Sequence, residues 1–189
     1  MSSSAKKVLK IVLAGNGGIG KTTLAKKFCY NQYGEDEGLT VGSEIFIKKY
    51  KVNGKEEYLQ IWDLGGQDHF RFFLHGLVYG AKGALLGFDI RRRKSFNDLK
   101  EWLNLIRKGN PDIPIVLVAM KKDLSYHPTL NHELAKAFKE ENDIVDFIEI
   151  SSKDGLNVNL PFKILINHIN KYEEEALIEF LDYELEMMT

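Results

Sequence analysis

The chain reads as an α/β domain: a six-stranded, mostly parallel sheet with one antiparallel edge strand and helices on both faces. Three observations carry that reading. Apolar runs alternate with helical patterns along nearly all of the 189 residues, as in a parallel sheet with crossover helices. One pair of runs is separated only by Asn53-Gly54, the strongest short hairpin signal, which makes that pair antiparallel. The first apolar run passes through the glycine-rich stretch Gly15 to Thr22 into a helical pattern.

Taken in order, Val8, Leu9, Ile11, Val12 and Leu13 place a strand at 8–14, and Leu24, Ala25 and Phe28 place a helix at 21–31. The hairpin strands fall at 43–52 and 56–63, and further strands at 83–90, 114–120 and 146–150. Helices are expected at 69–79, 95–108, 129–141 and 157–172. In the helix over 95–108, Phe96, Leu99, Trp102, Leu103 and Ile106 form a core-facing stripe. Ser95 is placed to cap its start, and Asn110-Pro111 ends the connection. The main domain is expected over 6–172. Residues 173–189 are expected as an acidic amphipathic helix, with Leu177, Phe180, Leu181, Leu185 and Met188 on one face. That helix either packs on the domain surface or serves as a protein-docking or self-association helix.

Composition narrows the class. With 44% hydrophobic and 28% charged residues, the chain is globular in type. A net charge of −1 offers no basic field for nucleic acid. Seven of the 27 acidic residues lie in 173–189, which holds no Lys or Arg, so the rest is net basic. Cys29 is the only cysteine; no intrachain disulfide can form, which fits a reducing, cytoplasmic setting. No apolar run approaches the ~18 residues of a membrane span. Ser2 stands where N-myristoylation needs glycine, and the last four residues hold no cysteine to prenylate, so no lipid anchor is expected.

The chemistry concentrates in five places. Gly15-Asn16-Gly17-Gly18-Ile19-Gly20-Lys21-Thr22 follows a strand and opens a helix. There backbone N–H groups and the helix dipole point at a polyphosphate, Lys21 reaches the outer phosphates and the Thr22 hydroxyl can ligate magnesium. Thr40 lies in the loop from Gly34 to Gly42, a segment suited to ordering on ligand binding. Its hydroxyl can add to the magnesium shell and its N–H to the terminal phosphate. Asp63-Leu64-Gly65-Gly66-Gln67 follows a strand; Asp63 can hold the magnesium shell, Gly66 can offer an N–H to the terminal phosphate, and Gln67 can orient an attacking water. Lys121-Lys122-Asp123 follows another strand. The Asp123 carboxylate can accept from guanine N1–H and the 2-amino group, donors that adenine lacks on that edge, while the Lys121 stem lies along the base. Ser151-Ser152-Lys153 can supply an N–H to the guanine carbonyl oxygen.

In this order and at these separations, the five motifs resemble a small GTPase of the Ras superfamily, over roughly residues 6–172. The stretch Thr40 to Ile45 and Gln67-Asp68-His69-Phe70-Arg71 is similar to the Rab branch, and Trp62 to Gln67 to the Arf branch. The resemblance implies a P-loop NTPase G domain that binds GTP and GDP with magnesium and hydrolyses GTP slowly. It implies nucleotide contacts from Asn16, Gly17, Gly18, Ile19, Gly20, Lys21, Thr22, Thr23, Tyr33, Thr40, Gly66, Lys121, Asp123, Ser151, Ser152 and Lys153. Tyr33 would cover the guanine face. It implies metal ligation by Thr22, Thr40 and Asp63, and catalysis by Gln67, Lys21, Thr40 and Gly66. Effectors, exchange factors and GTPase-activating proteins would read segments 34–44 and 64–74.

Two departures stand out. Met120 replaces the usual asparagine of the fourth motif, so no side-chain amide there can bond guanine N7 or tie this loop to the phosphate loop. No lipid anchor of the kind common in relatives is expected, with the acidic tail in its place. Gly17 leaves room for an activating arginine, but none is evident in cis, and Arg91-Arg92-Arg93 reads as a solvated patch. Two alternatives stay open: a GTP-binding module without useful hydrolysis, and an adenine-nucleotide switch. The second arises because Gly17 to Ala25 also resembles the phosphate loop of the NB-ARC ATPases.

Overall fold

The computed structural model describes residues 7–34, 38–66, 71–170 and 177–181. The strands are β1 (Val8–Ala14), β2 (Ser43–Val52), β3 (Lys55–Leu64), β4 (Gly83–Asp89), β5 (Ile115–Met120), β6 (Asp146–Glu149) and β7 (Ile178–Phe180). The helices are α1 (Lys21–Tyr30), α2 (Arg71–Val78), α3 (Arg93–Asn97), α4 (Leu99–Arg107), α5 (His132–Glu141) and α6 (Leu160–Asn170).

One sheet runs in the order β6-β5-β4-β1-β3-β2-β7. β1 pairs in parallel with β3 and β4, and β5 lies parallel to β4 and β6. The Asn53-Gly54 turn folds β2 antiparallel to β3, pairing Ser43 with Leu64 and Val52 with Lys55. Both turn residues have positive φ, 48° and 79°, the geometry for which Asn-Gly is suited.

Alternation along the central strand explains its continuous apolar run. Leu9, Ile11 and Leu13 enter a core with Phe28 of α1 and Phe162 of α6. Val12 and Ala14 enter a second core with Leu74 of α2 and Trp102 of α4. A strand covered by helices on both faces has no polar side to show in its sequence.

Three expectations change. The helix over 95–108 is divided at Asp98, whose ψ of −4° departs from helical geometry and whose carboxylate is drawn to Asn16 and Lys94. Ser95 does not cap a start; it lies inside α3, where its hydroxyl accepts from the Asp89 N–H at 3.0 Å and donates to the Arg92 carbonyl at 2.7 Å. The expected helix over 173–189 fails at Ile178–Phe180, which forms β7, a seventh strand antiparallel to β2.

The physical reason for β7 is the open edge of β2. A helix could not satisfy the backbone groups of that edge. The strand does: Asn53 N–H donates to the Leu177 carbonyl at 3.3 Å, and Leu181 N–H to the Lys49 carbonyl at 3.0 Å. Ile178 and Phe180 turn inward at a period of two while Glu179 faces out. Phe180 meets the Phe28 ring edge-on at 4.7 Å, and Phe28 stacks on Phe162 at 3.8 Å. The remainder of 173–189 lies outside the described residues.

Candidate functional site

The site lies at the C-terminal ends of β1, β3 and β5, the usual position for ligands in open α/β sheets. An open pocket of about 330 Å³ is bounded by the turn before α1, the loop around Thr40, and the loops after β5 and β6. Gly17, Gly18, Ile19, Gly20, Lys21, Thr22, Thr23, Tyr33, Thr40, Gly66, Lys121, Asp123, Ser152 and Lys153 line it. Leu39, Met120 and Leu124 line it too. Of the residues assigned above, Asn16, Asp63 and Ser151 sit behind the wall, and Gln67 lies outside the described residues.

The glycines of the turn are there for space as well as φ. Gly15 has φ +136°, and a Cβ on it would fall 2.4 Å from the Gly87 carbonyl oxygen. Gly20, at φ 104°, leads into α1 without a side-chain cap, and no acidic residue occupies the first turn. Among the described residues no side chain caps this helix N-terminus, which suits its first N–H groups to an anion. Lys21 is 5% exposed and its ammonium donates to the carbonyls of Gly15 at 2.8 Å and Asn16 at 3.1 Å. Burial lowers its pKa to about 8; Asp63 opposes that shift and Arg92 adds to it.

The three oxygen donors assigned to a metal meet. Thr22 Oγ1 lies 2.5 Å from Asp63 Oδ2 and 2.8 Å from Thr40 Oγ1, and Thr40 Oγ1 lies 3.5 Å from the same carboxylate. Burial raises the Asp63 pKa, against the pull of Lys21 and the Thr22 hydroxyl. Its second oxygen, Oδ1, is buried without a hydrogen-bond partner.

At the opposite end, Asp123 stands exposed at the rim. Ser151, fully buried, donates its hydroxyl to Asp123 Oδ1 at 2.8 Å and accepts the Asp154 N–H at 3.1 Å. Ser151 thus aims the carboxylate from behind. The two rim loops are joined by the Lys122 N–H donating to the Ile150 carbonyl at 2.9 Å. Glu149 steadies them from below, holding Lys122 at 3.0 Å, His132 at 3.3 Å and the Tyr126 hydroxyl. Met120 is 3% exposed, with its sulfur 3.9 Å from the Cβ position of Gly20. It fills the space beneath the phosphate loop with apolar contact.

Asn16 turns away from the pocket. Its amide donates to Asp98 Oδ2 at 2.7 Å, and its oxygen accepts the indole N–H of Trp102 at 2.7 Å. The stripe in the sequence placed Trp102 in the core, but nothing in its spacing revealed this bond. Arg92 is exposed, as the reading of 91–93 as a solvated patch expects, and nonetheless reaches the phosphate loop. Its guanidinium Nη2 donates to the Gly17 carbonyl at 2.7 Å. The run of three arginines was the available signal, but only the fold brings the end of β4 beside the turn after β1.

A phosphate-cradling turn, an oxygen cluster behind it and a carboxylate rim on a doubly wound sheet define the class of Ras-like small GTPases. Comparison with known proteins agrees. The Ras family model matches residues 10–171. Ras-related protein RABA1a of Arabidopsis thaliana is 35% identical over 173 residues, covering 91% of this chain and 80% of that protein. The chain belongs to the Ras family, as a small GTPase.

Proposed function

We propose that this chain is a molecular switch that binds GTP and GDP with magnesium and hydrolyses GTP slowly when alone. One observation carries the reading: the phosphate loop, the Thr22–Thr40 hydroxyl pair and the Asp123 rim line a single pocket. A triphosphate on the loop would leave its base at Asp123, held there by the buried Ser151. A carboxylate aimed by a buried partner favours ligands that carry the matching donors.

The donor set fits a hard divalent cation. Two hydroxyls and a carboxylate converge, and Asp63 Oδ1 has no protein partner. Thr22, Thr40 and Asp63 would hold magnesium, which supplies charge neutralisation at the phosphates. Lys21 adds a fixed positive charge, and the N–H groups before α1 supply aligned dipoles. Gln67 is assigned to orient water by its place in the motif Asp63 to Gln67. No arginine lines the pocket among the described residues, and one supplied by a partner is worth about 10³–10⁵ in rate. Leu39, Thr40 and Gly66 line the pocket, and the segments 34–44 and 64–74 to which they belong would pass its state to effectors and regulators. The lone buried thiol of Cys29 is compatible with work in the cytoplasm.

Denaturing the purified protein and identifying the released nucleotide tests the base. GDP or GTP is expected, and an adenine nucleotide would overturn the guanine reading. Single-turnover hydrolysis tests the timer. Gln67→Leu should slow it at least tenfold; an unchanged rate would favour a binding module without useful hydrolysis.

A further inference from the structure

Three consecutive residues of the phosphate loop, Asn16, Gly17 and Gly18, are braced by side chains from elsewhere in the fold. The Asn16 side chain is held by Asp98 and Trp102. The Gly17 carbonyl accepts from Arg92 Nη2 at 2.7 Å, and the Gly18 carbonyl from Lys121 Nζ at 3.3 Å. Both cations lean on one carboxylate: Asp89 Oδ2 lies 2.8 Å from Lys121 Nζ and 3.6 Å from Arg92 Nε. Asp89 is 2% exposed, and its other oxygen accepts the Arg91 N–H at 2.9 Å.

This arrangement has a mechanical sense. A loop with several glycines has many conformations to lose, and its N–H groups cradle an anion only while its carbonyls stay turned outward. Beneath Gly20 the support is the Met120 side chain, which packs but cannot donate. Packing resists compression without fixing the orientation of a peptide. The Arg92 and Lys121 donors do fix it, and they leave one positive charge in excess beside the phosphates.

We infer that Arg92 is a positioning residue for the nucleotide. Clamped with Lys121 on Asp89, it holds the Gly17 peptide in its phosphate-binding orientation and replaces the directional tie that Met120 cannot make. The inference rests on the nucleotide-binding reading above. It separates Arg92 from the arginines beside it: Arg93 bonds Asn97 and the Thr129 carbonyl, away from the loop.

The test is the dissociation rate of fluorescent GDP from the full chain. Arg92→Met keeps the stem and removes the donor, and its side chain is 45% exposed, so folding should survive; a melting curve checks this. Loss of one charged donor predicts release faster by about tenfold. Arg92→Lys, which keeps a cation near Asp89, should recover part of the loss. In a Met120→Asn background the same Arg92→Met change should cost threefold or less, because the loop then has a second tie. Release within twofold of wild type, or an equal cost in both backgrounds, would overturn the inference. If the wild-type chain binds no guanine nucleotide at all, the function proposed above fails first, and the two failures are distinct.

Discussion

The Gly17 N–H donates to the carbonyl of Gly66 at 2.9 Å. The phosphate loop and the turn after β3 are therefore directly bonded, through a donor that a terminal phosphate would also claim. For the Gly17 N–H to meet a phosphate, this bond must open and the Gly66 carbonyl must turn away. Glycine permits that turn, and nothing larger fits: a Cβ on Gly66 would lie 2.1 Å from the Gly17 nitrogen and 2.3 Å from the Asn16 carbonyl carbon.

Gly66→Ala should accordingly separate binding from switching. The clash is with backbone, so the turn must shift away from the phosphate loop. GDP affinity is expected to change little, while the response to a triphosphate analogue is lost. Trp62, in β3 just before this turn, provides a fluorescence readout. A full wild-type response to the analogue in Gly66→Ala would refute the flip.

The Ser151–Asp123 bond predicts a graded effect on base recognition. Ser151→Ala leaves the carboxylate in place but unaimed. One hydrogen bond of this sort is worth about 0.5–1.5 kcal/mol, or about two- to tenfold in GDP affinity. Asp123→Ala removes the acceptor itself and should cost about 1.5–3 kcal/mol and erase the preference for guanine over adenine. Competition binding with GDP and ADP distinguishes the two.

Cys29 predicts a pH dependence of stability. Its side chain is fully buried, and burial pushes the thiol up to about 12 against the opposing charge of Lys48. An unfolded thiol titrates near its ordinary value of 9.0, so above that the unfolded chain has released a proton that the folded chain retains. Stability from this group is present below the unfolded value and is lost as pH climbs toward the folded one. Urea midpoints should fall between about pH 9 and 11, with a smaller fall in Cys29→Ala. Below that range, thiol reagents should label Cys29 only after unfolding.

The strand β7 predicts which residues of the tail matter. Ile178 is 5% exposed against the core, whereas Glu179 faces out. Ile178→Ala should lower unfolding free energy by about 2 kcal/mol, and Glu179→Ala should change it by less than about 0.5 kcal/mol. A helical tail with Leu177 and Leu181 as its inner face would make Ile178 the tolerant position instead. Urea unfolding of the two variants decides between the patterns.

Much of the architecture was legible because it is local. Helix and strand periodicity, the Asn53-Gly54 turn and the strand–glycine–helix step each lie within a short window. Covalent spacing alone constrains them. Asp123 and Thr40 could be singled out because their motifs have a recognisable order. Their arrival at one pocket is a property of the parallel sheet, whose strand ends open on the same side.

The tail was misread because Phe180 fits either period. Leu177, Phe180 and Leu181 match a helix, while Ile178 and Phe180 match a strand. The choice belonged to the unpaired edge of β2, which no property of 177–181 reveals. The same limit hid the bracing of the phosphate loop. Arg92 lies 75 positions from Gly17, and Trp102 lies 86 from Asn16.

The sequence by itself determined the class and singled out the turn proposed for phosphate, the carboxylate proposed for the base and the hydroxyls proposed to act with Asp63. Only the tertiary structure decided that Arg92 grips Gly17, that Gly66 shares its hydrogen bond, and that the tail closes the sheet. The physical reason is range. Propensity and motif act along the chain, whereas a donor's partner and a strand's edge are set by whatever distant segment the folded core brings beside them.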